Sequence, residues 1–82
     1  MNPIQMSNLL QIGAELQVRS YLKKLGIRER MRVLHSAIPY VNATSKTLHF
    51  FHTNFSMEIG ALLAANFDYD MAAGLYNAAK GK

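Results

Sequence analysis

The sequence predicts an all-α fold, a single domain formed by a small bundle of four to five helices. Every strong apolar periodicity in the 82 residues follows the spacing of a helix face rather than the alternation of a strand. Residues that start and stop helices stand at the ends of the apolar stretches. Half of the residues are hydrophobic, which is enough for a folded core and argues against a disordered chain.

The first helix is expected over residues 3–25. Asn2 suits the N-cap, Pro3 suits the first helical position, and Gln5 can complete a capping box. At the other end, two lysines and a leucine precede Gly26, an arrangement typical of a helix C-terminus. Apolar residues between these ends recur mostly on helical spacing, so we expect one continuous helix.

A second helix is expected over residues 27–37, with Met31 and Leu34 on one face. Pro39 is expected to end it, because a proline disfavours helical angles in the residue before it. The first and second helices would then meet at Gly26 in a helix-turn-helix-like junction.

Residues 39–53 have the least regular pattern, and residues 47–51 fit either a short extended piece or the start of a helix. An apolar stripe over residues 55–63 predicts a further helix. A turn follows at residues 66–67, and Asp68 can cap a final helix. The spacing over this last third approaches one tetratricopeptide hairpin. Such repeats need about three copies, so we interpret it as an ordinary helical hairpin that can act as a docking surface.

The chain contains no cysteine, which excludes disulfides, thiolate metal sites and a cysteine nucleophile. Absence of cysteine is typical of a reducing compartment, so we expect a cytoplasmic protein. The first residues contain no basic leader and no long apolar run, and we therefore expect neither a signal peptide nor a membrane span.

Metal binding and catalysis have little support in the sequence. The histidines are His35, His49 and His52, with no carboxylate close by, whereas a zinc site needs about three or four ligands. The five acidic residues are scattered, and no glycine-rich phosphate loop or nucleophile-elbow motif is present. We expect no metal, no cofactor and no enzymatic activity.

Charge divides the chain into two halves of opposite sign. Residues 19–46 contain seven basic residues and one acidic residue, a local balance of +6. Residues 47–79 contain three acidic residues and no lysine or arginine, a local balance of −3. This asymmetry indicates a segment that faces a polyanion, joined to a segment that packs or binds a partner.

The basic segment is the strongest functional signal, because lysine and arginine neutralise phosphates with release of counterions. A solvated charged face is the alternative, but such faces usually mix both signs. The basic segment therefore predicts double-stranded DNA as the partner. The exact helix-turn-helix motif is not expected, because Arg32 and His35 occupy positions where that motif has buried apolar residues. The residues predicted to contact DNA are Arg19, Lys23, Lys24, Arg28, Arg30, Arg32 and Lys46.

The apolar C-terminal half is predicted to contact a partner, because so small a chain often gains stability by oligomerisation. A homodimer or a larger partner is expected. The aromatic residues Tyr40, Phe50, Phe51 and Phe55 could stack on bases but are more often core or interface residues, and we interpret them so. The residues predicted for a partner or dimer interface are Phe55, Ile59, Leu62, Leu63, Leu75 and Tyr76.

The order of several short motifs resembles the N-terminal half of FlhC-type flagellar transcriptional activators. Residues 13–17, with the sequence Gly-Ala-Glu-Leu-Gln, match a G-A-x-L-Q run that precedes a basic helix in that family. Arg28 and Arg30 then match the basic helix. The resemblance implies a bacterial regulator that binds promoter DNA together with a partner subunit. Family members also have a cysteine-rich zinc region, for which this chain has no cysteine.

Two functions therefore remain open from the sequence. The first is a DNA-binding transcriptional regulator, which the basic segment favours. The second is a small protein-interaction module, an adaptor or inhibitor that docks through the C-terminal hairpin over residues 54–79. The acidic C-terminal half and the missing zinc region favour this second function.

Overall fold

A computed structural model describes residues 1–41 and 45–81, and for residues 38–41 and 45–47 the backbone alone. The described residues form six helices and no strand, which confirms the all-α prediction and exceeds the predicted number of helices. The helices are α1 (Pro3–Gln11), α2 (Glu15–Lys24), α3 (Ile27–Val41), α4 (Ser45–Asn54), α5 (Ser56–Ala64) and α6 (Tyr69–Lys80).

The start of α1 is the predicted capping box. The backbone N–H of Gln5 donates to Oδ1 of Asn2 at 2.8 Å, and the N–H of Asn2 donates to Oε1 of Gln5 at 2.9 Å. Pro3 occupies the first turn, where its missing N–H costs no hydrogen bond.

The single helix expected over residues 3–25 is two helices, because the chain turns sharply at Gly13. Gly13 has a φ of +85°, which glycine adopts without steric cost. Its N–H donates to the carbonyl of Leu10 at 3.2 Å, and the N–H of Ala14 donates to the carbonyl of Leu9 at 2.9 Å. These two bonds form a Schellman motif that ends α1 and reverses the chain into α2.

Two further differences from the expected elements concern the middle of the chain. Helix α3 continues through Pro39 to Val41, past the expected end at Ala37, because a proline disfavours helical angles in the residue before it without excluding them. Residues 47–51 belong to α4, so the helical alternative is the correct one. Residues 42–44, within the segment of least regular pattern, lie outside the described residues.

The turn between α5 and α6 follows the prediction. Asn66 and Phe67 have φ values of 52° and 64°. The N–H of Asn66 donates to the carbonyl of Leu63 and that of Phe67 to the carbonyl of Leu62, which forms a second Schellman motif. Asp68 caps α6, since its Oδ1 accepts a hydrogen bond from the N–H of Met71 at 2.9 Å.

Helix α3 is central, in contact with α1, α4, α5 and α6. Phe50, Phe51 and Phe55 pack in the core with ring centroids 5.4 to 6.3 Å apart, as expected for core aromatics. The side chain of Tyr40 lies outside the described ones. Within the described ranges, none of the helices has both the length and the apolar content that crossing a bilayer requires. The largest fully buried side chains are Met6, Leu10, Val18, Leu22, Met31, Leu34, Phe55 and Leu62.

Candidate nucleic-acid interface

Arg30 is buried inside the fold, although the sequence placed it on the DNA-contacting surface. Its side chain is 10% exposed, and Nη1 donates to Oε2 of Glu58 at 3.1 Å. Nε donates to the carbonyl of Leu22 at 2.9 Å. Nη2 donates to the carbonyls of Lys23 and Leu25 at 3.2 and 3.3 Å. These bonds engage all three guanidinium nitrogens within the protein, so we remove Arg30 from the predicted DNA contacts.

The guanidinium of Arg30 caps the C-terminus of α2. A helix leaves its last four carbonyls without intrahelical partners. The glycine expected to end this helix does not do so: α2 stops at Lys24, Leu25 is extended with a ψ of 147°, and the only described glycine with a positive φ is Gly13. Arg30 donates to two carbonyls of the last turn, those of Leu22 and Lys23, and its ion pair with Glu58 connects the end of α2 to α5.

Arg28 and Arg32 lie on the surface, each beside a carboxylate. Arg28 pairs with Asp70, and Nε of Arg32 donates to Oε2 of Glu29 at 3.0 Å. The hydrogen bond from Arg32 holds the pKa of the Glu29 carboxyl below its ordinary value, and the same bond raises the pKa of Arg32. All four side chains are between 47% and 75% exposed. Exposed pairs contribute little energy, so a phosphate can replace either carboxylate.

Arg19, Lys23 and Lys24 form an exposed row of cations on α2. None of them is paired with a carboxylate within the part of the chain that the structure describes. The ammonium of Lys23 lies 5.2 Å from the ring centroid of Phe55, a cation–π contact, and the residue as a whole is exposed. The side chain of Lys46 lies outside the described ones.

The predicted interface residues divide into core and surface. Phe55 and Leu62 are 0% and 1% exposed and belong to the core, so we remove them from the interface. Ile59 is partly buried against the core, and Tyr76, 8% exposed, belongs to it. Leu75 is 43% exposed. An apolar groove of about 240 Å³ between α5 and α6 is lined by Met57, Ala61, Ala64, Leu75, Tyr76 and Ala79. Leu63 is 64% exposed but does not line the groove between α5 and α6, so we remove it from the interface.

His35 acts as a packing residue between α3 and the start of α6. Its Nδ1 lies 2.7 Å from the hydroxyl of Tyr69, and its ring stacks on Phe67 with centroids 4.6 Å apart. His49 and His52 are exposed on α4. Over residues 1–41 and 45–81, no three histidine, aspartate or glutamate side chains converge as a metal site.

Five basic side chains thus remain on the surface of α2 and α3 as candidates for phosphate contact. They are Arg19, Lys23, Lys24, Arg28 and Arg32. No family model, curated protein or solved structure matches this chain.

Proposed function

We propose that the protein is a cytoplasmic transcriptional regulator that binds double-stranded DNA through α2 and the first two turns of α3. The observation that carries this proposal is the exposed row formed by Arg19, Lys23 and Lys24, which lacks a described carboxylate partner. Each such cation can neutralise a phosphate and release its counterion. Arg28 and Arg32 extend the basic surface once a phosphate displaces Asp70 or Glu29.

The resemblance to FlhC-type activators supports the same function. Its G-A-x-L-Q run spans the Gly13 turn and the first turn of α2, and the basic helix that follows corresponds to α3. Of the two arginines matched by that resemblance, Arg28 stays available to DNA and Arg30 stabilises the junction. Binding would occur with a partner subunit or as a dimer, as that family resemblance implies.

The proposal is tested by removing the cations of α2. The triple variant Arg19→Gln/Lys23→Gln/Lys24→Gln is expected to keep the fold, because all three side chains are exposed. Its plot of log binding constant against log salt should be shallower by up to about 2.7, since each lost phosphate contact contributes about 0.9. The binding constants are measured by fluorescence anisotropy with a labelled duplex between about 50 and 200 mM salt.

Two single variants serve as controls in the same titration. Lys80→Gln removes an exposed cation from the far end of α6 and should leave the slope unchanged. Glu29→Gln removes the acidic residue of the basic segment and should strengthen binding slightly. An unchanged slope in the triple variant would contradict a role of α2 in phosphate contact.

A protein-interaction module is the second candidate function, and the apolar groove between α5 and α6 favours it. The groove lining contains no charged side chain, and Leu75 at its edge is 43% exposed. A second copy of this chain or a helix of another protein could bury this surface. This candidate is compatible with DNA binding, because the groove and the cations of α2 lie on different helices.

We expect the groove to support a dimer at tens of micromolar protein. Leu75→Glu should convert that dimer to a monomer, because a carboxylate buried in an apolar contact loses its hydration. Multi-angle light scattering after size exclusion measures the mass. Leu63→Glu is the matched control, since Leu63 is exposed on α5 but does not line the groove. A monomer mass for the unmodified protein would reject the dimer.

A further inference from the structure

The two most exposed large hydrophobic side chains of the described residues flank the turn at Gly13. Ile12, the C-cap of α1, is 77% exposed, and Leu16 in the first turn of α2 is 75% exposed. Neither contributes to the core. Scattered exposed apolar residues are common on soluble proteins, but these two flank one turn, and we call the pair the apolar tip.

This apolar tip is continuous with the cations of α2. Leu16, Arg19 and Lys23 are separated by three and four residues, so they lie in one stripe along the helix. Val18 and Leu22 are fully buried on the neighbouring face, whereas the three residues of the stripe are exposed. The outward surface of α2 therefore begins with apolar groups and continues with positive charge.

We propose that Ile12 and Leu16 form a wedge that inserts between base pairs of bound DNA and kinks it. This inference rests on the proposed DNA binding and specifies its mode. Apolar side chains that partly unstack a base step from the minor groove are a recurrent device of DNA-bending proteins. In this arrangement Arg19 and Lys23 hold the backbone phosphates beside the opened step. The preferred duplex contains a pyrimidine–purine step such as TA, which unstacks most easily.

The turn that carries the wedge is held in a defined conformation. Gly13 adopts a φ of +85°, and the two Schellman hydrogen bonds, to the carbonyls of Leu9 and Leu10, fix the chain reversal. The apolar groups are therefore presented without a prior folding step. Such preorganisation lowers the entropic cost of inserting them.

An anionic membrane surface would also attract an apolar tip beside cations, but this tip is too small for stable anchoring. The side chains of Ile12 and Leu16 together contain fewer carbons than one myristoyl chain, and a single myristoyl chain gives only marginal membrane binding. A base step, in contrast, is opened by the insertion of apolar side chains such as those of isoleucine and leucine. The geometry therefore favours duplex DNA as the occupant.

The test uses the double variant Ile12→Gln/Leu16→Gln, which leaves the net charge and the buried core unchanged. The substrate is a duplex of about 20 base pairs with a central TA step and a fluorophore at each end. The unmodified protein should raise energy transfer between the fluorophores by bending the duplex. The double variant should bind about tenfold more weakly, with the salt slope retained and the rise in energy transfer lost.

The controls separate this inference from the proposed function. Leu63→Gln alters another exposed leucine, 64% exposed on α5, and should leave affinity and bending unchanged. Duplex binding without bending, or bending retained in the double variant, overturns the wedge while DNA binding stands. Absence of duplex binding overturns both. A membrane role is tested by sedimentation with phosphatidylserine vesicles. If sedimentation depends on Leu16 and duplex binding does not depend on Leu16, the tip binds membranes and the wedge is overturned.

Discussion

Replacing Arg30 with alanine is expected to lower the free energy of unfolding by about 3–5 kcal/mol, because a buried ion pair would lose one partner. The carboxylate of Glu58 is 4% exposed and would remain buried without its guanidinium. The carbonyls of Leu22, Lys23 and Leu25 would lose the donors that cap α2. Small domains have about 5–15 kcal/mol of stability in total, so the variant should be close to unfolding at room temperature.

Urea denaturation followed by circular dichroism measures this loss. Arg32→Ala is the matched control: it removes an arginine of the same helix whose pair with Glu29 is exposed, and it should cost less than about 1 kcal/mol. Arg30→Met/Glu58→Leu removes both charges and should recover much of the stability, because no buried charge is then unpaired. An Arg30→Ala variant within about 1 kcal/mol of the unmodified protein would contradict a structural role for Arg30.

Phe55→Ala is expected to cost about 3–5 kcal/mol, the range for truncating a fully buried phenylalanine. Phe55 is 0% exposed and lies at the N-cap of α5, where its ring contacts Phe50 and Phe51. The ring also accepts the cation–π contact from Lys23, which lies on α2. Its removal therefore leaves a cavity where α4 and α5 meet and weakens a contact to α2.

Thermal unfolding of Phe55→Ala and of a matched variant tests this expectation. Phe67→Ala truncates the same residue type at a position that is 37% exposed, where the ring stacks on His35 outside the core cluster. It should cost clearly less than Phe55→Ala, because little apolar surface is buried there. Equal losses of stability in the two variants would contradict the placement of Phe55 at the centre of the core.

The sequence predicted the helix ends that depend on short-range chemistry. The capping box of α1 and the cap of α6 at Asp68 need only the few residues beside them. The sequence pattern does not predict the break at Gly13, because Gly13 falls on the apolar spacing of the expected first helix and fits there as a small residue on its apolar face. A glycine can continue a helix or end it by a positive φ, and tertiary packing decides between these outcomes.

The prediction that Arg30 contacts DNA is wrong because it rested on the local pattern of charges alone. Arg28, Arg30 and Arg32 alternate in the sequence and appear equivalent as cations. On the helix, however, Arg30 shares the face of Met31 and Leu34, whereas the other two arginines project to the surface. Glu58 likewise lies on the apolar face of α5. An arginine on one apolar helix face and a glutamate on another are the features of the sequence that indicate a buried ion pair.

The assignment of Leu62 to the interface is wrong for a related reason. Leu62 and Leu63 are adjacent and equally apolar, but successive helical positions differ in direction by about 100°. One side chain therefore enters the core while the other faces solvent, at 1% and 64% exposure. Which of the two is buried depends on how α3 and α6 pack against α5, and the sequence pattern alone does not specify that packing.

The salt dependence of duplex binding by the unmodified protein tests the central claim most directly. Three cations on α2 and two on α3 are available for phosphates, so log binding constant against log salt should have a slope between about −2.7 and −4.5. The titration requires one labelled duplex and salt concentrations from about 50 to 200 mM. Binding with a slope in this range is the predicted result. No binding at about 50 mM salt, or binding that is independent of salt, would contradict the claim that these cations contact DNA.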